Sequence, residues 1–216
     1  MSYYINLSFL SNRHDNQPRA ERQKLLSAEA RRILSLCEGR QITEDDIARE
    51  TQEGRPFFPK SNTDFSISHS GNLTAVSLVR GKNIRTGCDV ELVRPRLKAK
   101  EIAREFFTAP ERDYIESQGQ FDGTHFYMIW TLKECFLKLH GLSVFDMPSV
   151  PSFISSEGVY TFDAVGVSPV LFNLYELTDS SDERYVLATA IAGTEEYQPE
   201  IRWFSKDFFS LREVRG

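Results

Sequence analysis

The stretch GCDVELVRPR, residues 87–96, has the composition of a buried β-strand but contains two acidic residues. Side chains two residues apart lie on the same face of a strand, so Asp89 and Glu91 share one face and the apolar residues beside them share the other. Neighbouring carboxylates repel each other, and removing both from water costs free energy unless a positive group lies close to them. The alternative is an edge strand whose acidic face is solvated. The stretch therefore predicts a strand and raises the question of which positive group lies beside its acids.

The overall composition is that of an ordinary globular protein. The chain has 216 residues, of which 40% are hydrophobic and 26% are charged, so it can bury a sizeable core as one large domain or two small ones. This composition argues against intrinsic disorder and against a collagen-like repeat. The net charge of −5 argues against a general nucleic-acid binder, so any binding site for an anion must be local.

The cysteines and the first residues of the chain indicate a cellular location. Cys37, Cys88 and Cys135 form no C-x-x-C pair, which is typical of free thiols in a reducing compartment. The N-terminal MSYYINLSFL lacks the basic region and the long apolar core of a signal peptide. No apolar run approaches the length of a membrane span. We therefore expect a cytoplasmic protein that does not bind membranes.

Hydrophobic periodicity changes between the helical and the strand pattern along the chain. Helices are expected at residues 19–36, 98–107, 109–118 and 124–141, with a short helical turn within 43–50. Strands are expected at residues 3–10, in a hairpin over 64–81, at 83–93, and in the segments GVYTFDAV, LFNLYEL, RYVLATAIAG and EIRWFS. This mixture of strands and helices predicts an α+β or α/β fold.

The helix expected at residues 124–141 has one stripe of functional side chains on an otherwise apolar surface. Trp130, Glu134 and Lys138 stand at positions i, i+4 and i+8, so they lie on the same face, and Lys133 lies beside them. The alternative is a surface stripe in which Glu134 and Lys138 form an ordinary ion pair, worth a few tenths of a kcal/mol.

Acidic residues from the strand and the helix together form a set of oxygen ligands for a hard cation. Mg²⁺ prefers carboxylates with water and substrate phosphate, so Asp89, Glu91 and Glu134 indicate a magnesium site and a phosphate ester as substrate. The segment SISHSG, residues 66–71, adds His69 and serine hydroxyls, which can bind a phosphate together. The alternative for His69 is an ordinary residue of a hairpin turn. Magnesium would be the positive group beside the two acids of the strand.

The order and spacing of these segments resemble one known family. EGRPFF and FSISHSG are followed by GCDVELVRPR, FFTAPER and FYMIWTLKECFLKLHG. This combination resembles the 4′-phosphopantetheinyl transferase superfamily, in particular its larger, pseudo-dimeric branch, which activates surfactin synthetase. The matching motifs extend from Arg19 to Leu142. The resemblance implies an α+β fold of two similar halves, residues 1–86 and 87–216, related by a pseudo-twofold axis with the active site in the cleft between them.

The resemblance also implies an activity. Enzymes of this family transfer the 4′-phosphopantetheine arm of coenzyme A to a serine hydroxyl of an acyl or peptidyl carrier protein and release adenosine 3′,5′-bisphosphate. Coenzyme A is then the substrate, Mg²⁺ the cofactor and a carrier protein the partner. A monomer is the simplest expectation, because a pseudo-dimer already contains both halves of one site. Fatty acid, polyketide and nonribosomal peptide pathways all stay open.

The resemblance assigns catalytic roles to residues of the strand and the long helix. Asp89, Glu91 and Glu134 would hold the magnesium ion against the pyrophosphate of coenzyme A. Glu134 would also act as the base for the incoming serine hydroxyl. Lys138 would stabilise or protonate the leaving phosphate oxygen, and Trp130 would fix the helix by packing. The serine nucleophile belongs to the carrier protein, which agrees with the lack of a convincing serine–histidine–acid triad in the sequence.

Binding of coenzyme A is assigned to residues upstream and on the same helix. The resemblance implies that Ser68 and His69 hold the nucleotide phosphates, that Arg55 and Pro56 contact the nucleotide, and that Lys133 binds phosphate. The family often has lysine where this chain has Arg55, which keeps the charge but changes the geometry. Basic residues of the first helix are candidates for the 3′-phosphate, with a solvated helix face as the alternative: Arg19, Arg22 and Lys24.

A basic run follows the acidic strand in this otherwise acidic chain. RPRLKAKEIAR, residues 94–104, predicts a docking surface for an acidic carrier protein, because complementary charge steers association. The solvated start of a helix is the alternative. The residues proposed to dock the carrier protein are Arg94, Arg96, Lys98 and Lys100.

Two other functions fit parts of the same pattern. A magnesium-dependent phosphoesterase would use the same three acids with water as the nucleophile. A non-catalytic relative would bind carrier proteins on the same fold, but we would then expect the loss of a metal ligand or of Lys138, and all of these residues are present.

Overall fold

The computed structural model describes most of the chain and covers the residues that form the candidate site. The described residues are 2–10, 18–49, 54–59, 61–96, 98–119, 123–155, 158, 160–161, 170–193, 198–205 and 208–214.

Ten strands and four α-helices make up the described fold. The strands are β1 (Ser2–Phe9), β2 (Ala48–Arg49), β3 (Pro56–Phe57), β4 (Thr63–Ser70), β5 (Leu73–Arg80), β6 (Arg85–Leu92), β7 (Val170–Asp179), β8 (Arg184–Ala192), β9 (Glu200–Trp203) and β10 (Phe208–Val214). The helices are α1 (Arg19–Glu38), α2 (Ala99–Phe106), α3 (Ala109–Ser117) and α4 (Thr124–His140). Short 3₁₀ turns lie at Glu44–Asp46 and Val144–Ser149.

The first sheet has the strand order β4-β5-β1-β9. Strand β1 is antiparallel to β5 and parallel to β9. Helix α1 packs against β5, and its buried residues Leu26, Ala30, Ile33 and Leu34 repeat at the helical period. These residues and Val76 and Leu78 of β5 belong to the core of this half of the fold. The first helix therefore rests on one face of the first sheet.

The second sheet has the order β10-β7-β8-β6, with antiparallel pairing throughout. Helix α4 lies against β6 and β8. Eleven of its residues are buried, which explains why its sequence is apolar on nearly every side. This packing places the polar stripe of α4 beside the acidic face of β6.

A glycine lets α4 approach β6 closely. A Cβ atom built on Gly87 would lie 2.7 Å from the carbonyl oxygen of Cys135 and 3.0 Å from Cβ of Leu139. Because atoms do not pack at 2.7 Å without displacement, any side chain at this position would push the helix away from the strand. Gly87 thus sets the distance between the acids of β6 and the polar stripe of α4.

The α+β fold class predicted from the sequence is confirmed. The predicted helices and hairpin are present with shifts of at most a few residues at their ends, and the short helical turn expected within residues 43–50 is a 3₁₀ turn at Glu44–Asp46, followed by β2. The strand expected in GVYTFDAV falls largely outside the described residues. The expected boundary between residues 86 and 87 lies inside β6, and β9, from the C-terminal part of the chain, joins the first sheet. In the described part of the chain, no helix is long and apolar enough to cross a membrane.

Candidate active site

A cleft of about 840 Å³ lies where β4, β6, α1 and α4 meet. Strands β4 and β6 are edge strands of the two sheets and lie side by side. The cleft is lined by most of the residues that the sequence analysis singled out: Arg55, Pro56, Ser68, His69, Asp89, Glu91, Trp130, Glu134 and Lys138. The fold therefore brings together four segments that are separated in the sequence.

The centre of the cleft is a triangle of hydrogen bonds among Ser68, Asp89 and Lys138. Nζ of Lys138 donates to Oδ1 of Asp89 at 2.6 Å and to Oγ of Ser68 at 2.9 Å. Oγ of Ser68 donates to the same Oδ1 at 2.7 Å. Asp89 is buried, and Lys138 is partly exposed to the cleft. The positive group beside the acids of β6 is thus the ammonium of Lys138.

The charges of this triangle shift the acid–base properties of Lys138. Partial burial lowers the pKa of the ammonium, but the carboxylates of Asp89 and Glu134 raise it by more, so its pKa lies above the ordinary value. Lys138 is therefore a stable cation at neutral pH, suited to holding negative charge on a phosphate oxygen.

Glu134 lies one helical turn before Lys138 on the same face of α4. Burial and the negative charge of Asp89 raise the pKa of Glu134 to about 7, although Lys138 acts in the opposite direction. A carboxylate with a pKa near the working pH can accept and release a proton. Glu134 thus has the properties of a general base.

Glu91 lies on the same face of β6 as Asp89, closer to the end of the strand. Its Oε2 accepts a hydrogen bond from Oγ of Ser70 at 2.9 Å. Burial, followed by the charge of Asp89, raises the pKa of Glu91 above its usual value. The carboxylates of Asp89, Glu91 and Glu134 therefore line one cleft, and the repulsion that, after burial, raises the pKa of Glu91 and of Glu134 would be relieved by a cation bound between the acids.

The described residues contain no preassembled group of three or more His, Cys, Asp or Glu side chains that could hold a metal ion. The chemistry of the acids nevertheless fits a hard cation. Oδ2 of Asp89 is buried without a hydrogen-bond partner, and such an atom is costly unless a ligand satisfies it. Asp89, Glu91 and Glu134 thus present the oxygen donors that Mg²⁺ prefers, with one buried oxygen free to bind it.

His69 lies on β4 next to Ser68 and lines the cleft. Burial, followed by the charge of Lys138, lowers the pKa of its imidazole. The ring is therefore neutral at pH 7 and available as a hydrogen-bond donor or acceptor for a ligand.

A ladder of side chains joins β4 to β6 beside this site. Asp64, Ser66, Ser68 and Ser70 of β4 accept hydrogen bonds from the backbone N–H groups of residues 86, 88, 90 and 92 of β6, at 2.8–3.2 Å and always 22 residues apart. We call these four contacts the β4–β6 ladder. The alternation of polar residues in DFSISHS places every acceptor on the same face of β4. The ladder thus fixes the register of the two sheets at the cleft.

The structure places Lys133 outside the cleft. Its side chain is fully buried, and its Nζ lies 3.2 Å from Oε2 of Glu111 and donates to the carbonyl oxygen of Val150 at 3.1 Å. Neighbouring residues on a helix point about 100° apart, which turns Lys133 away from Glu134. The expected contact between Lys133 and a phosphate is therefore corrected: the residue holds α3 and the segment after α4 to the helix.

The first helix contributes a different basic residue from those expected. Arg19, Arg22 and Lys24 lie on the first two turns of α1 and are not among the residues that line the cleft. Arg31 of α1 lines the cleft, as does Arg49 of β2. No local sequence pattern singled out Arg31 or Arg49, because their place in the cleft depends on how α1 and β2 pack.

The basic run after β6 is partly engaged in contacts of its own. The guanidinium of Arg96 lies 5.2 Å from the ring centroid of Trp130, in a cation–π arrangement. Arg94 pairs with Glu183 at 2.8 Å. Lys98 and Lys100 are exposed. The basic residues after β6 therefore form a surface that reaches the cleft where Arg96 contacts Trp130.

The fold is α+β, its cleft brings three carboxylates and a lysine together, and comparisons with known proteins show which family the chain resembles. Residues 85–190 match the model of the 4′-phosphopantetheinyl transferase superfamily. The matched region contains Asp89, Glu91, Glu134 and Lys138.

Individual relatives carry the name of the same family. The chain is 32% identical over 105 residues to the 4′-phosphopantetheinyl transferase AcpT of Escherichia coli O157:H7, covering 47% of this chain and 52% of the relative. It is 33% identical over 104 residues to the 4′-phosphopantetheinyl transferase Sfp of Bacillus subtilis, covering 47% and 44%. A putative 4′-phosphopantetheinyl transferase of Haemophilus influenzae is 24% identical, covering 76% and 66%. The match to AcpT thus spans about half the length of that relative.

Proposed function

We propose that the protein transfers the 4′-phosphopantetheine moiety of coenzyme A to a serine of an apo carrier protein and releases adenosine 3′,5′-bisphosphate. The observation that carries this proposal is the cleft in which Ser68, Asp89, Glu134 and Lys138 meet. A lysine cation, a carboxylate of raised pKa and a buried free carboxylate oxygen are the groups that attack on a phosphate ester requires. The names of the relatives support the same reaction.

The chain's own residues divide the chemistry among them. Glu134 accepts the proton of the serine hydroxyl as the oxygen attacks the β-phosphorus of coenzyme A. Lys138 neutralises the charge that develops on the leaving bisphosphate oxygen. Asp89, Glu91 and Glu134 would hold Mg²⁺, which supplies charge neutralisation on the pyrophosphate when bound. Ser68 and Asp89 keep the ammonium of Lys138 in place.

The nucleotide end of coenzyme A would lie on the α1 side of the cleft. Ser68 and His69 supply hydrogen bonds at the phosphates, next to the catalytic centre. Arg31, which also pairs with Glu44 at 3.2 Å, and Arg49 line the cleft and are our candidate cations for the remaining phosphate. These two arginines replace Arg19 and its neighbours as our candidates.

The carrier protein would dock on the basic surface that follows β6. Reversing the charge with Lys98→Glu and Lys100→Glu is expected to raise the KM for the carrier protein, because steering by complementary charge is lost. The KM for coenzyme A should not change, since neither lysine lines the cleft. Lys82→Glu, distant from this run in the sequence, is the matched control. An unchanged KM for the carrier protein would contradict docking at this surface.

The location and the oligomeric state follow as parts of the same proposal. Cys37, Cys88 and Cys135 are free thiols, which suits a reducing cytoplasm. A monomer is sufficient, because β4 and β6 of one chain already form both walls of the cleft.

The activity is tested by the intact mass of an apo carrier protein after incubation with the protein, coenzyme A and Mg²⁺. We expect a gain of one phosphopantetheine, lost in Asp89→Ala and Glu134→Ala and in a carrier protein whose acceptor serine is replaced by alanine. No gain with several apo carrier proteins, despite binding of coenzyme A, would contradict the proposal.

A further inference from the structure

The guanidinium of Arg55 is buried where the two sheets meet, with only 4% of its side chain exposed. Nη1 and Nη2 donate to Oδ1 and Oδ2 of Asp64 at 2.7 and 2.5 Å. Nη2 also donates to the carbonyl oxygens of Phe65 at 3.1 Å and of Thr86 at 2.7 Å. Nε donates to the carbonyl oxygen of Lys138 at 3.1 Å. Arg55 is therefore enclosed by partners from the protein itself.

These partners belong to three different elements. Asp64 and Phe65 lie on β4 in the first sheet, Thr86 lies on β6 in the second sheet, and Lys138 lies in the last turn of α4. A guanidinium has five N–H donors, and these contacts leave one N–H of Nη1 for any other partner. Arg55 thus links the elements that form the cleft and has little capacity left for a nucleotide phosphate.

The same contacts meet the β4–β6 ladder. Oδ2 of Asp64 accepts the backbone N–H of Thr86 at 2.8 Å as the first contact of the ladder. Ser68, two contacts further along, accepts the N–H of Val90 and contacts Asp89 and Lys138. A shift of β4 against β6 would therefore separate Ser68 from Asp89.

We propose that Arg55 is a positioning residue: together with Asp64 it fixes β4, β6 and the end of α4 so that Ser68, Asp89 and Lys138 meet. The effect on catalysis rests on the proposed transfer activity, whereas the linking of the three elements does not. The interpretation of Arg55 as a nucleotide contact predicts a different response to substitution.

Lysine at position 55 separates the two interpretations. It keeps the positive charge that a phosphate requires but cannot form the planar, two-pronged contact with Asp64 or reach three carbonyl oxygens at once. If Arg55 binds the nucleotide, lysine serves almost as well. If Arg55 positions the cleft, lysine fails nearly as badly as alanine.

The experiment compares Arg55→Lys, Arg55→Ala, Asp64→Asn and the double variant Arg55→Lys with Asp64→Asn in the full chain. We expect a lower Tm for each single variant and little further loss in the double variant, because the partners act as a unit. We expect kcat of the folded protein to fall about tenfold or more, since small misplacements are costly in catalysis. The KM for coenzyme A should change less than about threefold, because misplaced catalytic groups lower kcat without weakening the binding of the substrate.

Arg40→Lys is the matched control, because Arg40 forms an exposed contact with Asp46 at 2.7 Å outside the cleft. It should leave Tm and kcat unchanged. Arg55→Lys and Asp64→Asn are milder than alanine and keep the test open if Arg55→Ala does not fold.

Three results would overturn the proposal. Wild-type Tm and kcat in Arg55→Lys, with a raised KM in Arg55→Ala, would identify a nucleotide contact. A lower Tm with unchanged kcat would reduce Arg55 to a purely structural residue. Additive effects of the substitutions at residues 55 and 64 would show that the two residues do not act together. If the wild type transfers no phosphopantetheine, the proposed function fails, but the role of Arg55 can still be decided. Non-additive losses of Tm in the variants at residues 55 and 64 would show that Arg55 links the elements. A weaker calorimetric affinity for adenosine 3′,5′-bisphosphate in Arg55→Ala, with wild-type affinity and Tm in Arg55→Lys, would show that Arg55 binds the nucleotide.

Discussion

Asp89 uses its two carboxylate oxygens for different purposes. Oδ1 accepts hydrogen bonds from Ser68 and Lys138, and Oδ2 is buried without a partner. The sequence predicts magnesium as the positive group beside Asp89 and Glu91, whereas the structure places the ammonium of Lys138 there. The two are compatible, because the ammonium satisfies one oxygen and leaves the other free for a cation.

At this scale, the sequence predicts which side chains share a face within one strand or one helix. It does not predict which residues of other elements pack into the same cleft. Asp89 and Glu91 follow the period of a strand, and Glu134 and Lys138 that of a helix, so the shared face of each pair was predictable from spacing. The meeting of the strand and the helix was expected from the resemblance to the family. The location of Lys133 was predicted wrongly because its partner, Glu111, lies on another helix, and a pairing between helices is not visible in the sequence. Arg49 was missed because its place in the cleft depends on the packing of the whole fold.

The arginines that line the cleft can be tested for binding of coenzyme A. Arg31→Ala and Arg49→Ala are each expected to raise the KM for coenzyme A about tenfold with little change in kcat, since a charge-assisted hydrogen bond to phosphate is lost. Steady-state kinetics at saturating carrier protein measures this effect. Arg19→Ala is the control, because Arg19 is exposed at the start of α1. A raised KM for coenzyme A in Arg19→Ala alone would instead place the phosphate-binding site at the start of α1.

At the scale of elements, a buried ion pair anchors α4. Lys133 and Glu111 are fully buried, and Glu111 also accepts the N–H groups of Thr108 and Phe153. Lys133→Met is expected to lower the free energy of unfolding by about 3–5 kcal/mol, because it leaves a buried carboxylate unpaired. Adding Glu111→Gln should recover part of this loss, since glutamine keeps an acceptor without the charge. Urea unfolding measures both effects.

The same variants test the earlier expectation for Lys133. A contact with phosphate would raise the KM for coenzyme A in Lys133→Met, whereas an anchor of α4 leaves it unchanged. A loss of stability below about 0.5 kcal/mol, the range of an ordinary surface substitution, would contradict the anchoring role.

The approach of α4 to β6 at Gly87 is a second contact between elements that can be tested. Gly87→Ala places a methyl group 2.7 Å from a backbone carbonyl oxygen of α4. The helix must move, so we expect a loss of about 1–3 kcal/mol in stability and a clear fall in kcat, because Glu134 and Lys138 move with it.

Gly39→Ala is the control for this substitution. Gly39 ends α1 at φ +66° with open space around its Cα, so alanine there costs about 1 kcal/mol of backbone strain without displacing the cleft. An unchanged kcat in Gly87→Ala would show that the distance between α4 and β6 is not critical.

At the scale of the whole molecule, the site depends on the joining of two sheets. The strands and helices themselves were largely predictable from hydrophobic periodicity, since local patterns determine them. The joining of β9 to the first sheet was not predictable, because it pairs residues nearly 200 positions apart. The β4–β6 ladder was visible only as an alternation of polar residues in DFSISHS, a pattern that an exposed edge strand would also show.

The most direct test measures both products of one reaction. Apo carrier protein, coenzyme A and Mg²⁺ are incubated with the protein, and phosphopantetheine on the carrier is compared with the adenosine 3′,5′-bisphosphate released. The account predicts equal amounts of both, loss of both with EDTA, and recovery when excess Mg²⁺ is added, because the acids of the cleft require a cation. Release of bisphosphate without a gain in carrier mass would identify a phosphoesterase and contradict the transfer of phosphopantetheine.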